Sequence, residues 1–135
     1  MAEVVLLDAG PLVAMADRRD VSHAWTVGQM QHLREPLHSC GAVLAEAGFV
    51  LRLGRIRAQL DRGNIVPAPE SRALWQRCFA LMDRYASVPM SFADACLVAL
   101  AERTPQARIF TLDRDFLIYR RAGDQPLALI APFAD

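Results

Sequence analysis

The sequence predicts an α/β fold in which helices cover both faces of a mainly parallel sheet. Short apolar runs alternate along the chain with longer amphipathic segments, a pattern typical of buried parallel strands connected by helices. Acidic residues follow several of these runs, where the carboxyl ends of parallel strands gather ligand sites. Because the chain has 135 residues and 53% of them are apolar, we expect one domain over residues 1–135 with a full core.

Five strands are predicted from short apolar runs bounded by turn residues. They cover residues 4–7, 36–39, 64–66, 108–112 and 127–130, and a further short extended segment is expected at 87–90. Since helical segments separate these strands, the sheet is expected to be mainly parallel.

Six helices are predicted from their periodicity and from the residues at their ends. They cover residues 11–17, 22–33, 42–53, 56–62, 70–85 and 91–103, with a short helical turn at 115–119. Pro11 suits the first turn of its helix, and Ser22 is a suitable N-cap. Gly54 and Gly63 are interpreted as C-terminal stops.

The charge balance limits the classes of function. The chain has 15 basic and 15 acidic residues, which argues against a strongly basic nucleic-acid-binding protein but leaves room for a local basic patch. All 15 basic residues are arginine, so any mechanism that needs a catalytic lysine is excluded.

The cysteines predict neither a disulfide framework nor a zinc site. Cys40, Cys78 and Cys96 are far apart and lack CxxC spacing, so they are interpreted as small buried hydrophobic residues in a reducing compartment. The start of the chain lacks the basic segment of a signal peptide, and no apolar run approaches the roughly 20 residues that span a bilayer. We therefore expect a cytoplasmic protein without membrane contact.

Acidic residues stand at the ends of two predicted strands. Asp8 follows the run 4–7, and Asp113 follows the strand 108–112, with Asp115 two residues later. Each of them, taken alone, also fits a simple turn or cap residue. Thr111 is placed to orient a neighbouring acid or a water molecule through its hydroxyl.

Two further acids stand in predicted helices. Glu46 has apolar residues three and four positions away on both sides and no base on that face, so its charge is costly unless it is paired, bound to a metal or able to reach water at a helix edge. Asp94 follows Ser91 by three residues, which fits a capping box. Because its helix begins just after the extended segment 87–90, Asp94 is also expected at the edge of the sheet.

The joint placement of these acids is more informative than any one of them. Carboxylates from separate elements are expected at one edge of the sheet, where they repel one another and must take up protons or recruit cations. A ligand set made of oxygen atoms alone suits Mg²⁺ or Mn²⁺ and does not suit zinc. Such a metal activates water and neutralises charge on a phosphodiester.

Four segments resemble, in order, the motifs of the PIN-domain family, which includes the VapC toxins. These segments are LDAGPLVA at residues 7–14, VLAEA at 43–47, FADA at 92–95 and TLDRDF at 111–116. The resemblance covers nearly the whole chain, and four motifs in order are fairly specific. It implies a three-layer α/β/α sandwich with a mainly parallel central sheet.

The resemblance also implies a function. It implies metal-dependent cleavage of an RNA substrate, inhibition by a cognate antitoxin protein, and a homodimer. It assigns catalysis and the binding of Mg²⁺, with Mn²⁺ as a substitute, to four acids: Asp8, Glu46, Asp94 and Asp113. Asp115 shares or takes over the last role, and one or two metal ions fit. Ala9 stands where the family often has Thr or Ser, which removes a hydroxyl group.

Several alternatives are weighed against this hypothesis. Haloacid-dehalogenase-type phosphatases and response-regulator receivers also place acids at strand ends, but both need a lysine. A catalytically idle PIN-like module that binds RNA or protein stays open, although acids at all four positions argue against it. Water attack in line on phosphorus would leave a 5′-phosphate and a 3′-hydroxyl and needs no 2′-hydroxyl, so a DNA nuclease is the alternative among enzymes.

Arginines outside the acidic positions have less specific interpretations. Arg18 and Arg19 are expected close to the active edge and are candidates for phosphate contacts. Arg52, Arg55 and Arg57 are candidates for the same role or for binding an acidic antitoxin tail. A solvated charged face is the ordinary explanation of such a cluster.

Overall fold

A parallel sheet of five strands organises the chain. The computed structural model describes residues 3–134. The strands of this sheet are β1 (Val4–Leu7), β2 (Leu37–Ser39), β3 (Ile65–Pro67), β4 (Ala107–Phe110) and β7 (Leu129–Ile130), while β5 (Arg120–Arg121) and β6 (Gln125–Pro126) form a separate pair. The sheet has the order β3-β2-β1-β4-β7, and all four of its pairings are parallel. The central position of β1 puts Asp8, which follows it, near the middle of the carboxyl edge.

Six α-helices connect and cover the strands. They are α1 (Ala9–Ala16), α2 (His23–Met30), α3 (Gly41–Gly48), α4 (Leu53–Asp61), α5 (Arg72–Arg84) and α6 (Phe92–Arg103), with 3₁₀ helices at Arg114–Leu117 and Ala122–Asp124. Consecutive residues of a strand point to opposite faces, and Val5, Leu6 and Leu7 are all buried. Both faces of the sheet are therefore covered, which confirms the predicted three-layer α/β/α sandwich.

The helix α6 lies at the centre of the core. Every residue from Ala93 to Ala101 is buried, so this helix packs on all sides, as expected for a central helix rather than a surface one. It contacts α5, α3, β1 and β4. A helix fixed on all sides holds its N-terminal turn, and hence Asp94, in a defined place.

The structure corrects three local predictions. Gly54 is not a helix stop, because α3 ends at Gly48 and Gly54 lies in the first turn of α4. The segment 87–90 is a turn with a cis peptide bond before Pro89 rather than an extended strand. The region after β4 also contains the short antiparallel pair β5–β6, whose two-residue strands are too short to give a periodic signal.

Other predicted boundaries hold to within a few residues. Gly63 follows α4 with a φ of +75°, as expected for a glycine at a helix C-terminus. Within residues 3–134, no helix is both long enough and apolar enough to cross a bilayer.

Candidate active site

An acidic cleft of about 560 Å³ opens at the carboxyl edge of the sheet. Eight residues line it: Asp8, Ala9, Gly10, Glu46, Asp94, Leu112, Asp113 and Arg114. They come from the end of β1, from the first turn of α1, from α3, from the first turn of α6 and from the segment after β4. The structure therefore brings together the four acids that the sequence singled out.

Asp8 is held by hydrogen bonds to both of its carboxylate oxygens. Its Oδ1 accepts from the backbone N–H of Ala9 at 2.8 Å, where Asp8 is the N-cap of α1. Its Oδ2 accepts from Oγ1 of Thr111 at 2.7 Å. Thr111 is fully buried and its Oγ1 accepts in turn from the N–H of Asp113 at 3.0 Å. The hydroxyl of Thr111 thus orients an acid, as predicted, and links Asp8 to the turn that carries Asp113.

Asp94 is held from two sides. Ser91 caps α6 by accepting from the N–H of Asp94 at 3.0 Å, so the serine half of the predicted capping box forms. The Oδ2 of Asp94 accepts from the hydroxyl of Tyr119 at 3.0 Å. Asp94 therefore lies in the cleft while its own N–H contributes to the cap.

Glu46 and Asp113 line the same cleft from exposed positions. Glu46 reaches water at a helix edge, which was the ordinary explanation of its sequence context. Asp113 caps the 3₁₀ helix Arg114–Leu117 by accepting from the N–H of Asp115 at 2.9 Å. Asp115 is not among the residues that line the cleft, so the geometry favours Asp113 of these two acids.

Burial and mutual repulsion set the charge state of the cleft. Burial, followed by the charges of Asp94 and Glu46, raises the pKa of Asp8 to about 6 against the lowering effect of its hydrogen bonds. Burial also raises the pKa of Asp94 to about 6, and the charges of Asp113 and Glu46 add to this effect. Within residues 3–134 no arginine forms an ion pair with either carboxylate. The ionised cleft therefore favours an added cation.

The carboxylate oxygens in the cleft are suitable ligands for a hard divalent cation. Asp8 and Asp94 are 5% and 8% exposed, and all four acids offer oxygen atoms, which suits Mg²⁺ or Mn²⁺. No group of three His, Cys, Asp or Glu side chains in residues 3–134 is already close enough to hold a metal ion. Since Glu46 and Asp113 are exposed, binding would draw these two side chains toward the buried pair.

Sequence reasoning missed Tyr119. This side chain is fully buried, and its ring packs edge-on against Tyr85 and Phe116 at centroid distances of 5.1 and 5.3 Å. Burial and the neighbouring Asp94 raise the pKa of its phenol, so the hydroxyl stays protonated and donates. Its signal in the sequence was weak, because an aromatic residue after a short helical turn usually only fills the core.

The close approach of α1 to the segment after β4 depends on Gly10. A Cβ atom at this position would lie 3.2 Å from the Cβ of Leu112, which is tighter than ordinary contact. The absence of a side chain therefore lets the first turn of α1 and the turn bearing Asp113 form one wall of the cleft.

Comparisons with known proteins agree with this architecture. The family model of the PIN domain matches residues 5–122. The solved structure of VapC20 from Mycobacterium tuberculosis, described as a sarcin–ricin loop cleaving toxin, superposes with a TM-score of 0.72 at 16% sequence identity. The superposition covers 82% of this chain and 91% of that one. Among curated proteins, none matches the sequence at a significant level.

Proposed function

The chain belongs to the PIN-domain family, and on that premise we propose that it is a metal-dependent endoribonuclease whose active site is the acidic cleft. The observation that carries the proposal is the pair of buried carboxylates, Asp8 and Asp94, which line one cleft together with Glu46 and Asp113. Burying two acids without a cationic partner is unfavourable for folding. A protein that keeps them is expected to use their charge.

Four acids would hold the cation, which we take to be Mg²⁺ with Mn²⁺ as a substitute. When bound, the cation supplies an activated water molecule and neutralises charge on the phosphodiester. Asp8 and Asp94 provide the fixed part of the site, because Thr111 and Tyr119 donate hydrogen bonds to them at 2.7 and 3.0 Å. Such supporting hydrogen bonds orient ligand oxygens and keep them ionised.

Glu46 and Asp113 provide the adjustable part of the site. Both are exposed. Glu46 is free to rotate toward a cation or a bound strand, whereas Asp113 holds its cap hydrogen bond through Oδ1 and has its other oxygen to offer. We assign to Glu46 the role of holding the attacking water and accepting its proton, since Glu46 borders the cleft without being fixed by the cap of a helix. In-line attack on phosphorus would leave a 5′-phosphate and a 3′-hydroxyl.

Our proposal for the substrate and partners rests on similarity to known proteins and not on the geometry of the cleft. VapC20 is a toxin that cleaves the sarcin–ricin loop, and the shared fold supports an RNA substrate here. We also propose that this chain is the toxin of a toxin–antitoxin pair and is inhibited by a cognate antitoxin protein. A homodimer in the cytoplasm is part of the same proposal.

Cleavage of total RNA by the purified protein tests the proposal. We expect cutting with Mg²⁺ or Mn²⁺, none with EDTA, and none with Asp94→Asn. Asp83→Asn is the matched control, because Asp83 is an exposed acid of α5 that does not line the cleft. Equal cutting by wild type and Asp94→Asn would refute the site.

Two further outcomes separate the alternatives. Faster cutting of matched single-stranded DNA than of RNA would identify a DNA nuclease. Binding of RNA without cutting of total RNA or of isolated ribosomes would identify a binding module without catalytic activity.

A further inference from the structure

A basic groove lies at the far end of α1 from the acidic cleft. Arg18 lines this groove, so the expectation that it lies close to the active edge is wrong. Three neighbouring cavities of about 400, 470 and 230 Å³ share Arg55 as a lining residue. Arg18 lines two of them, and Arg52 lines the third. We call this surface, formed by Arg18, Arg52 and Arg55 between the end of α1 and the start of α4, the basic groove.

The arginines of the groove retain unused hydrogen-bonding capacity. Within the described chain, no carboxylate lies at ion-pair distance from Arg18, Arg52 or Arg55, whereas Arg19 is 3.8 Å from Asp17. Arg55 donates from one terminal nitrogen to the carbonyl of Ala16. This bond anchors Arg55. Because a guanidinium has five N–H donors, most of the donors of Arg55 stay available. Asp17, which also borders the groove, is partly neutralised by Arg19.

The helix that follows the groove adds to its positive potential. Arg52 is the N-cap of α4, and its side chain makes no capping hydrogen bond to the first backbone N–H groups of that helix. The positive end of the α4 dipole therefore lies beside the three arginines. Together these charges favour an anion with several oxygens.

An exposed aromatic residue lies in the sequence between the residues of the cleft and those of the groove. Phe49 follows α3 directly and is 93% exposed. It comes three residues after Glu46 of the cleft and three before Arg52 of the groove. Proteins that bind single strands combine exposed aromatic rings, on which bases stack, with arginines that hold phosphates, and Phe49 and Arg52 are three residues apart.

The spacing of the two sites fits a short single strand. Ala9 lines the cleft and Ala16 lines the groove, at opposite ends of α1. Seven residues of α-helix span roughly 10 Å, which is about three stacked nucleotides at roughly 3.4 Å each. Among the described residues, four acids and a single arginine, Arg114, line the cleft. Its net negative charge repels a phosphate backbone, so a strand held there needs further cationic contacts.

We propose that single-stranded RNA runs from the acidic cleft past Phe49 to the basic groove, where Arg18, Arg52 and Arg55 hold its phosphates and Phe49 stacks on a base. This inference rests on the proposed nuclease function, since it assigns the path of the same substrate. The groove residues position the strand and take no part in bond breaking. An acidic protein segment is the competing occupant of the groove.

Binding of a fluorescent single-stranded RNA in EDTA tests the path without depending on catalysis. For Arg18→Gln and Arg55→Gln we expect weaker binding and a slope of log K against log salt that is smaller by about 0.7 for each arginine removed. Phe49→Ala should weaken binding without changing the slope, because stacking releases no counterions. Arg34→Gln and Phe79→Ala, at exposed sites outside the cleft and the groove, should leave both quantities unchanged.

The outcomes separate this inference from the nuclease proposal. If wild type binds and cuts RNA while the groove variants match their controls, the path is wrong and the nuclease stands. If wild type neither binds nor cuts RNA, both proposals fail. If RNA binding is unchanged but poly-glutamate binds wild type and loses affinity in Arg18→Gln and Arg55→Gln, the groove takes an acidic protein segment and the RNA path is overturned.

Discussion

The acidic cleft has a fixed half and an adjustable half. Asp8 and Asp94 are buried and each accepts a hydrogen bond from a buried hydroxyl, whereas Glu46 and Asp113 are exposed at the same opening. The fixed half lies against β1 and the fully packed helix α6. The adjustable half comes from the edge of α3 and from a turn. The difference suggests that packing sets the position of the site, while cation and substrate complete it.

The largest expected effect comes from removing a charge in the fixed half. We expect Asp8→Asn to lower kcat by roughly 10²–10³-fold, the range for loss of one preorganised charge-stabilising group. Glu46→Gln should lower kcat less, because Glu46 is exposed and a neighbouring water or acid can accept the proton in its place. Single-turnover cleavage of a defined RNA measures both. An equal loss of kcat in the two variants would contradict the division of the cleft into a fixed and an adjustable half.

The second prediction concerns the stability of the metal-free protein against pH. The pKa of Asp8 is raised from 3.8 to about 6 in the fold, so the folded state binds this proton more tightly than the unfolded chain. The resulting stabilisation is fully present below about pH 3.8 and is lost as the pH rises through about 6. At 1.36 kcal/mol per pKa unit, the loss is up to about 3 kcal/mol at pH 7.5.

Urea unfolding in EDTA checks this prediction. Relative to wild type, Asp8→Asn should gain stability between pH 4 and pH 7.5. Mg²⁺ should stabilise wild type at pH 7.5 and have less effect on the variant. A difference between the two proteins that does not change with pH would contradict the proposed cost of charge at Asp8.

The third prediction concerns the hydroxyl that supports the fixed half. Thr111→Val keeps the shape of the side chain but removes the donor to Asp8 and the acceptor for the N–H of Asp113. We expect about a 10-fold loss of metal affinity or activity, as for supporting groups around metal ligands. The hydrogen bond lowers the pKa of Asp8, so the pH at which activity appears should also move upward. Thr111→Ser keeps the hydroxyl, so it should recover most of the lost affinity or activity and of the shifted pH dependence. A defect of packing alone would not allow this recovery.

The sequence predicted the acids of both halves but not every contact that holds them. The mainly parallel sheet and the placement of Asp8 and Asp113 at one edge followed from apolar runs that end in acids, because parallel strands share one carboxyl edge. The contact of Tyr119 with Asp94 was not predictable, since it joins residues 25 positions apart through the tertiary packing of three aromatic rings. The α3–α4 boundary was wrong because Gly54 is compatible with both a helix stop and a first turn.

The smallest expected effect separates the two acids that the sequence left unresolved. Asp113 lines the cleft, and its carboxylate also caps the following 3₁₀ helix, whereas Asp115 does not line the cleft. We expect Asp113→Asn to lower kcat/KM several-fold and Asp115→Asn to change it by less than about 2-fold. Asparagine retains an oxygen that can accept the cap hydrogen bond, so a loss in Asp113→Asn would reflect charge rather than folding. The reverse order of effects would move the fourth acid to Asp115 and require the turn after β4 to rearrange when the cation binds.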